Sequence, residues 1–385
     1  MAVGQDVGVR KMPLNERDLE QRIWPQAHFP IGQEVVGKGP GNNSYCDDNG
    51  FILQAQAGFS CAEKLYPRDY LESCYVQTGS IEAVPLPIPA EECAISSLVQ
   101  SDLLYGTTAG RRSHLFVYAD GRIKDLGVIE ENCRKSSLAV ADKLYIGTEP
   151  MDGEGSLYTY QDNHLVKLMC PAAGEGIAAL VADGDRLYGL TSKSGIFFIY
   201  YPADGKLELK EQIEPPFSPV LALSSAGDVY GGSRWNNLFR YARADEKIRK
   251  LDVQVPTLKG REMYNRIETL ICHGDYLYGG TSADGWLFRF SLGKERMFSL
   301  GKPLNQPHIR CLAVAADGAL YGVAGKDCCH LFRYAEGDLR DLGIIRVTSP
   351  RLWHGYRFAA AIAGRQGEIY LGEADRISHL FIIKK

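Results

Sequence analysis

The sequence predicts an all-β fold, a single β-propeller of four-stranded blades, and three observations carry that prediction. A strand-rich unit recurs seven times from about residue 94 to the C-terminus. Its period is near 43 residues, a length suited to four short strands and their turns. No unit contains the 10–15-residue helical stretch that a βαβ repeat requires.

Each unit reads as an apolar strand, a polar turn, Leu-Tyr-Gly, a variable loop, Leu-Phe, a second turn and a short final strand. The first motif appears at Leu104-Tyr105-Gly106, Leu187-Tyr188-Gly189, Val229-Tyr230-Gly231, Leu277-Tyr278-Gly279 and Leu320-Tyr321-Gly322. An extra residue enters it at Leu144-Tyr145-Ile146-Gly147 and Ile369-Tyr370-Leu371-Gly372. The second motif appears at Leu115-Phe116, Leu157-Tyr158, Phe197-Phe198, Leu238-Phe239, Leu287-Phe288, Leu331-Phe332 and Leu380-Phe381. Asp-Gly and Gly-Asp pairs, as at 120–121, 274–275 and 317–318, supply the positive-φ positions that tight hairpins need.

The last unit stops after its third strand, so an N-terminal strand is expected to close the ring. In one register, residues 42–87 form a divergent blade, with strands at Phe51–Ala57, Ser73–Thr78 and Ile81–Leu86. Ile31–Val36 then closes a ring of eight blades. In the other, Ile81–Leu86 closes a ring of seven and residues 1–78 form a cap. The reading takes eight, with seven as the alternative. It divides the chain into an N-terminal extension, 1–27, and a propeller domain, 28–385.

Lys plus Arg (43) nearly balance Asp plus Glu (47), a formal net charge of −4 that gives no footprint for nucleic acid or an anionic membrane. No segment approaches the ~20 apolar residues of a membrane span. The first 20 residues lack a signal-peptide pattern, and the ten cysteines are scattered, which suits reduced thiols and a cytoplasmic location. A processed secreted form would look the same.

Segments leading into the first strand of each unit share one end of the disc with the loops joining second and third strands. Arg134, Arg266, Arg310 and Arg357 fall 11–13 residues before the unit tyrosine, so a ring brings them toward one axis. Their fork geometry suits a carboxylate, sulfate or phosphate. The loops on this face add Arg234 and Trp235, and an aromatic ring beside cations suits a sugar acid. The competing reading pairs these arginines with glutamates of neighbouring units, among them Glu92, Glu131, Glu175, Glu262 and Glu268.

His308, His354, Tyr264 and Tyr356 lie in the same segments and are the acid–base candidates. His114, His330 and His379 immediately precede the second motif and read as packing residues. Cys328-Cys329-His330 is rich in ligand types, but adjacent residues of a strand face opposite sides and no second Cys-x-x-Cys pair exists. No metal site or cofactor is expected, with a structural calcium held by backbone carbonyls left open.

The units from Leu277 to Phe290 and Val229 to Tyr241 resemble those of bacterial propellers of the WD40-like and quinoprotein-like kind. The Trp-Asp ending of WD40 repeats and the tryptophan docking pattern of quinoprotein dehydrogenases are missing. A narrower similarity is to propeller polysaccharide lyases and rhamnosidases acting on uronate-containing glycans, whose sites use His, Tyr and Arg at the ring mouth. That resemblance implies a carbohydrate-active protein, a lyase or glycosidase, taking an anionic sugar or oligosaccharide at the arginine-rich mouth. The alternative is a non-catalytic propeller that holds a protein partner.

Overall fold

A computed structural model describes residues 10–11, 36–37, 45–46, 52–53, 75–76, 79–349 and 352–384. Apart from two two-residue ladders, β1 (Arg10–Lys11) with β2 (Val36–Gly37) and β3 (Tyr45–Cys46) with β4 (Ile52–Leu53), they form six large antiparallel sheets. The remaining short ladder is β28 (Arg346–Val347) with β29 (Trp353–His354). No helix among the described residues is long and apolar enough to cross a membrane.

Four sheets follow the unit in chain order. They are β12 to β15 (Ile177–Asp183, Arg186–Thr191, Ile196–Tyr201, Lys206–Gln212) and β16 to β19 (Ser218–Leu223, Val229–Gly232, Asn237–Ala242, Lys247–Gln254). Next come β20 to β23 (Ile267–His273, Tyr276–Thr281, Leu287–Ser291, Arg296–Gly301) and β24 to β27 (Ile309–Val314, Leu320–Ala324, His330–Ala335, Asp338–Ile344). The last sheet joins β30 (Phe358–Ala363), β31 (Ile369–Glu373) and β32 (His379–Lys384) to β5 (Ser80–Pro85).

The sixth sheet has six strands: β6 (Ala94–Gln100), β7 (Leu104–Ala119), β8 (Arg122–Val140), β9 (Leu144–Pro150), β10 (Leu157–Gln161) and β11 (His164–Met169). It carries the first two sequence units. β7 and β8 each run through what is elsewhere two strands, and Gly110↔Cys133 and Arg112↔Glu131 pair where a loop would otherwise divide them.

These facts overturn the expected count of eight blades, with seven as the alternative. The described residues form six blades, because two units are fused into one large sheet by shared strands. Residues 81–85, assigned under eight blades to a separate N-terminal blade, are instead the outer strand beside β32, with Phe381 opposite Ala83. The strands expected at Phe51–Ala57 and Ser73–Thr78, and the closing strand Ile31–Val36, lie almost wholly outside the described residues.

The coupling between the two motifs has a steric cause. A Cβ on Gly106, Gly189, Gly231, Gly279 or Gly322 would fall 2.1–2.4 Å from a ring atom of Phe116, Phe198, Phe239, Phe288 or Phe332. The tip of each ring therefore occupies the space where a Cβ would stand, which only glycine leaves open. A second device fixes the start of the third strand. Oγ1 of Thr108, Thr148, Thr191 and Thr281 accepts the N–H of His114, Ser156, Ile196 and Trp286 at 2.9–3.0 Å.

Apolar wedges fill the spaces between neighbouring sheets. Tyr188, Phe197, Phe239 and Tyr241 form one, all but fully buried. Rings of this size dominate core energetics, and their tilted contacts at 5.2–6.1 Å add to the gain from burial. His114 and His330 bridge third and fourth strands through Asp125 and Asp341, at 3.0 and 2.9 Å.

Candidate axial site

Seven inner strands, β6, the second half of β8, β12, β16, β20, β24 and β30, surround a central cavity of about 300 Å³. The pairing of each inner strand with its neighbour shifts register near the same point, at Ser96, Arg134, Ala178, Pro219–Val220, Glu268, Arg310 and Ala359. A bulge leaves one residue outside the ladder and re-aims its side chain. All these positions except Arg134 border the axial cavity. The irregularity thus recurs where the inner strands meet the axis, and of the residues it leaves outside the ladder Glu268 and Arg310 are the charged ones that border the cavity.

Glu268 and Arg310 meet. Arg310 donates from Nη1 to Glu268 Oε1 at 2.9 Å, and its other donors reach the carbonyls of Gly325 and Lys326 at 3.3 and 3.0 Å. The second carboxylate oxygen of Glu268 lies 2.9 Å from Nδ1 of His308. A carboxylate only accepts, so the neutral tautomer of His308 that fits this contact has its proton on Nδ1 and its lone pair on Nε2. The histidine backbone is held at φ 69°, in the left-handed region. Two backbone bonds fix it there: its N–H to Ser282 O at 2.6 Å and its carbonyl from Gly325 N–H at 2.9 Å. Such conformations cost about 1–3 kcal/mol and persist where surrounding structure imposes them.

The four arginines divide into two classes. Arg134 and Arg310 sit at bulges, whereas Arg266 and Arg357 immediately precede their strands, as His308 does. The carbonyls of Arg266, His308 and Arg357 each accept an N–H from the loop joining second and third strands. Arg310 alone of the four borders the cavity. Arg134 lies 3.7 Å from Glu149, Arg357 donates to Asp327 at 2.6 Å, and Arg266 donates to the carbonyl of Asn265 at 2.7 Å.

The other acid–base candidates stand apart from Glu268. Nε2 of His354 lies 3.3 Å from the Tyr75 hydroxyl. Burial, reinforced by the Arg346 cation, pushes its pKa down to about 4. Tyr264 is 69% exposed on the segment before β20. Tyr356 donates its backbone N–H to the buried Glu373 and has the Arg357 guanidinium 5.9 Å from its ring centre. Arg234 pairs with Glu214. Trp235 belongs to the turn Arg234–Asn236, and its side chain lies outside the described residues.

Sequence reasoning passed over Lys135, which follows the Arg134 bulge and borders the cavity. Burial pushes its ammonium below the usual lysine range and the Glu149 carboxyl above the usual carboxylate range, each drawing the other partly back. Among the described residues no carboxylate lies within 4 Å of Lys135, and no group of three or more His, Cys, Asp or Glu is placed to hold a metal. One signal for Lys135 was available: it is the charged member of a position filled by Ile95, Ile177, Ile267 and Ile309 in four other units.

No protein-family model matches the chain, and no curated protein matches its sequence. Solved structures do. The extracellular domain of a one-component system from B. thetaiotaomicron is similar over 80% of this chain, at 17% identity and a TM-score of 0.59. The chain spans about two-fifths of that domain's length, 40%. Virginiamycin B lyase from Staphylococcus aureus, a catalytically inactive His-to-Ala variant with quinupristin, matches over 80% of this chain and 100% of its own at 11% identity and a TM-score of 0.60. U3-55K matches over 79% and 98%, at 14% identity and a TM-score of 0.58. What these proteins have in common with the chain is the fold, and the chain is a β-propeller.

Proposed function

We propose that the axial cavity binds a small anionic ligand of the sugar-acid (uronate) class and that His308 acts on it as a base in β-elimination. Glu268 and Arg310 border the cavity, and Glu268 also holds His308 beside it; this arrangement carries the reading. Nε2 takes the proton α to the carboxylate, and its C–H electron pair becomes the new double bond. The β C–O bond breaks, and the imidazolium returns its proton to the departing oxygen. Arg310 and Lys135, both bordering the cavity, offset the negative charge that gathers on the carboxylate in the transition state. Tyr264, Tyr356, Arg134, Arg266, Arg357, Arg234 and Trp235 would serve longer ligands reaching out from the mouth. Virginiamycin B lyase is a propeller whose His-to-Ala variant is inactive, which agrees with histidine chemistry on this scaffold.

The test is incubation with uronic-acid oligosaccharides and detection of the unsaturated product by its ultraviolet absorbance. Activity should vanish in His308→Ala. Calorimetry with the same oligosaccharides separates binding from turnover, and absence of both refutes the reading. The second reading is a protein-interaction propeller. Leu258, Met263, Tyr264 and Leu352 favour it, being exposed on segments that lead into first strands. It expects a partner whose binding is lost in Met263→Asp while His308→Ala has no effect.

A further inference from the structure

A separate cavity lies at the opposite end of the disc, where turns join first to second and third to fourth strands. Between β20–β23 and β24–β27 it encloses about 370 Å³, bordered by His273, Tyr278, Arg289, Tyr334 and Glu336. Arg289 occupies a repeat position. It is the register partner of Tyr278, as Arg240 is of Tyr230 and Arg333 of Tyr321.

Arg240 is answered by Asp228, the residue just before the second strand, at 2.6 Å. In the Arg289 unit that place is filled by Tyr276. Arg289 therefore has no carboxylate within 4 Å among the described residues, and its buried Nε has no hydrogen-bond partner. The guanidinium carbon sits 4.8 Å from the Tyr276 ring centre and 5.2 Å from that of Phe298. These ring contacts offset charge but leave Nε without an acceptor. An unsatisfied buried donor costs about 1–3 kcal/mol, more when charged, and an oxyanion in the cavity would remove that cost while accepting the fork geometry.

Tyr278 and Tyr334, with ring centres 6.4 Å apart, border the same space. Burial pushes the Tyr278 phenol up, so its hydroxyl remains a donor at neutral pH. Glu336 is exposed on the turn at the rim, which disfavours ligands carrying several negative charges. We propose that this cavity is a binding site for a small ring-bearing oxyanion. Arg289 holds its carboxylate or phosphate head, and Tyr278 and Tyr334 flank its ring. The site is independent of the axial reading.

The experiment titrates benzoate and phenyl phosphate calorimetrically into the full chain carrying Lys135→Met, which removes the unpaired axial cation. Saturable one-to-one binding of at least one probe is expected, with Kd raised tenfold or more by Arg289→Met. Tyr276→Asp should do the same while keeping the arginine, because it restores the carboxylate found beside Arg240. This variant keeps the test open if Arg289→Met fails to fold. Binding of one probe alone identifies the preferred head group. Binding by neither, or binding undiminished in either variant, overturns the proposal.

Discussion

Replacing Glu268 by glutamine should change which nitrogen of His308 carries the proton. Arg310 can only donate, so the new side chain must turn its carbonyl oxygen toward Arg310, where Oε1 now accepts at 2.9 Å. Its amide N–H₂ then faces Nδ1 of His308, which now lies 2.9 Å from Oε2. A donor opposite Nδ1 requires that nitrogen to accept, so the proton of the neutral ring moves to Nε2 and the lone pair there disappears. The exchange replaces charge-assisted bonds by neutral ones of about half the strength. With Glu268 20% exposed and Arg310 19% exposed, the loss is about 1–2 kcal/mol, or roughly 3 °C in Tm for a chain of this size. Long-range ¹⁵N–¹H spectra of selectively labelled protein distinguish the tautomers, and His308→Asn identifies the signal among the eight histidines. Uronide turnover should fall by roughly three to four orders of magnitude, as when an amide replaces the carboxylate behind a catalytic histidine. Retention of the Nδ1 proton in Glu268→Gln would refute the reasoning.

Gly279→Ala places a methyl 2.2 Å from the Phe288 ring, so urea unfolding should show a loss of about 3 kcal/mol. Adding Phe288→Leu should return part of that, and no recovery would mean the ring is not the obstacle. His354 titrates near 4 when folded against about 6.5 when free. The unfolded state therefore holds an extra proton between these values. Stability contributed by the neutral ring is fully present above about pH 6.5 and is lost as pH falls toward 4, with a slope of up to about 1.4 kcal/mol per pH unit. His354→Gln should flatten the stability curve in that window, and an unchanged curve would count against the shift. Burial pushes the Cys133 thiol up to about 11 and Cys272 up to about 12. Mass-spectrometric mapping should find both unlabelled by Ellman's reagent until the protein unfolds, and rapid labelling in the native state would contradict their inertness.

The fold was readable because its steric requirement is written in neighbouring motifs. The glycine of the second strand and the phenylalanine of the third are two halves of one contact, and both recur in the sequence. Fusion of two units was hidden because Gly110 to Ser113 has the composition of a loop, and nothing local distinguishes a loop from two strands that continue pairing. The candidate site was half readable. Spacing from the unit tyrosine brought Arg134, Arg266, Arg310 and Arg357 into one class. It cannot see a single-residue bulge, which separates Arg310 at the axis from Arg266 and Arg357 beside it. Glu268 was visible as a counter-charge for arginine, but its hold on His308 depends on a left-handed backbone turn at 308, which residue identity does not announce. Lys135 was not legible because it directly follows Arg134, and two adjacent cations read as a solvated flank of the strand.

The pairing of β5 with β32 bears on how the molecule is made. Ser80 lies opposite Lys384 and Pro85 opposite His379, so roughly 300 residues separate the partners. Contacts of such sequence separation close slowly, because chain entropy is lost before they form. During synthesis every other large sheet can assemble from residues already adjacent in the chain, while Ser80–Pro85 emerges before them all and waits for His379–Lys384 as an unpaired edge. A chaperone acting on the nascent chain would find its exposed strand there.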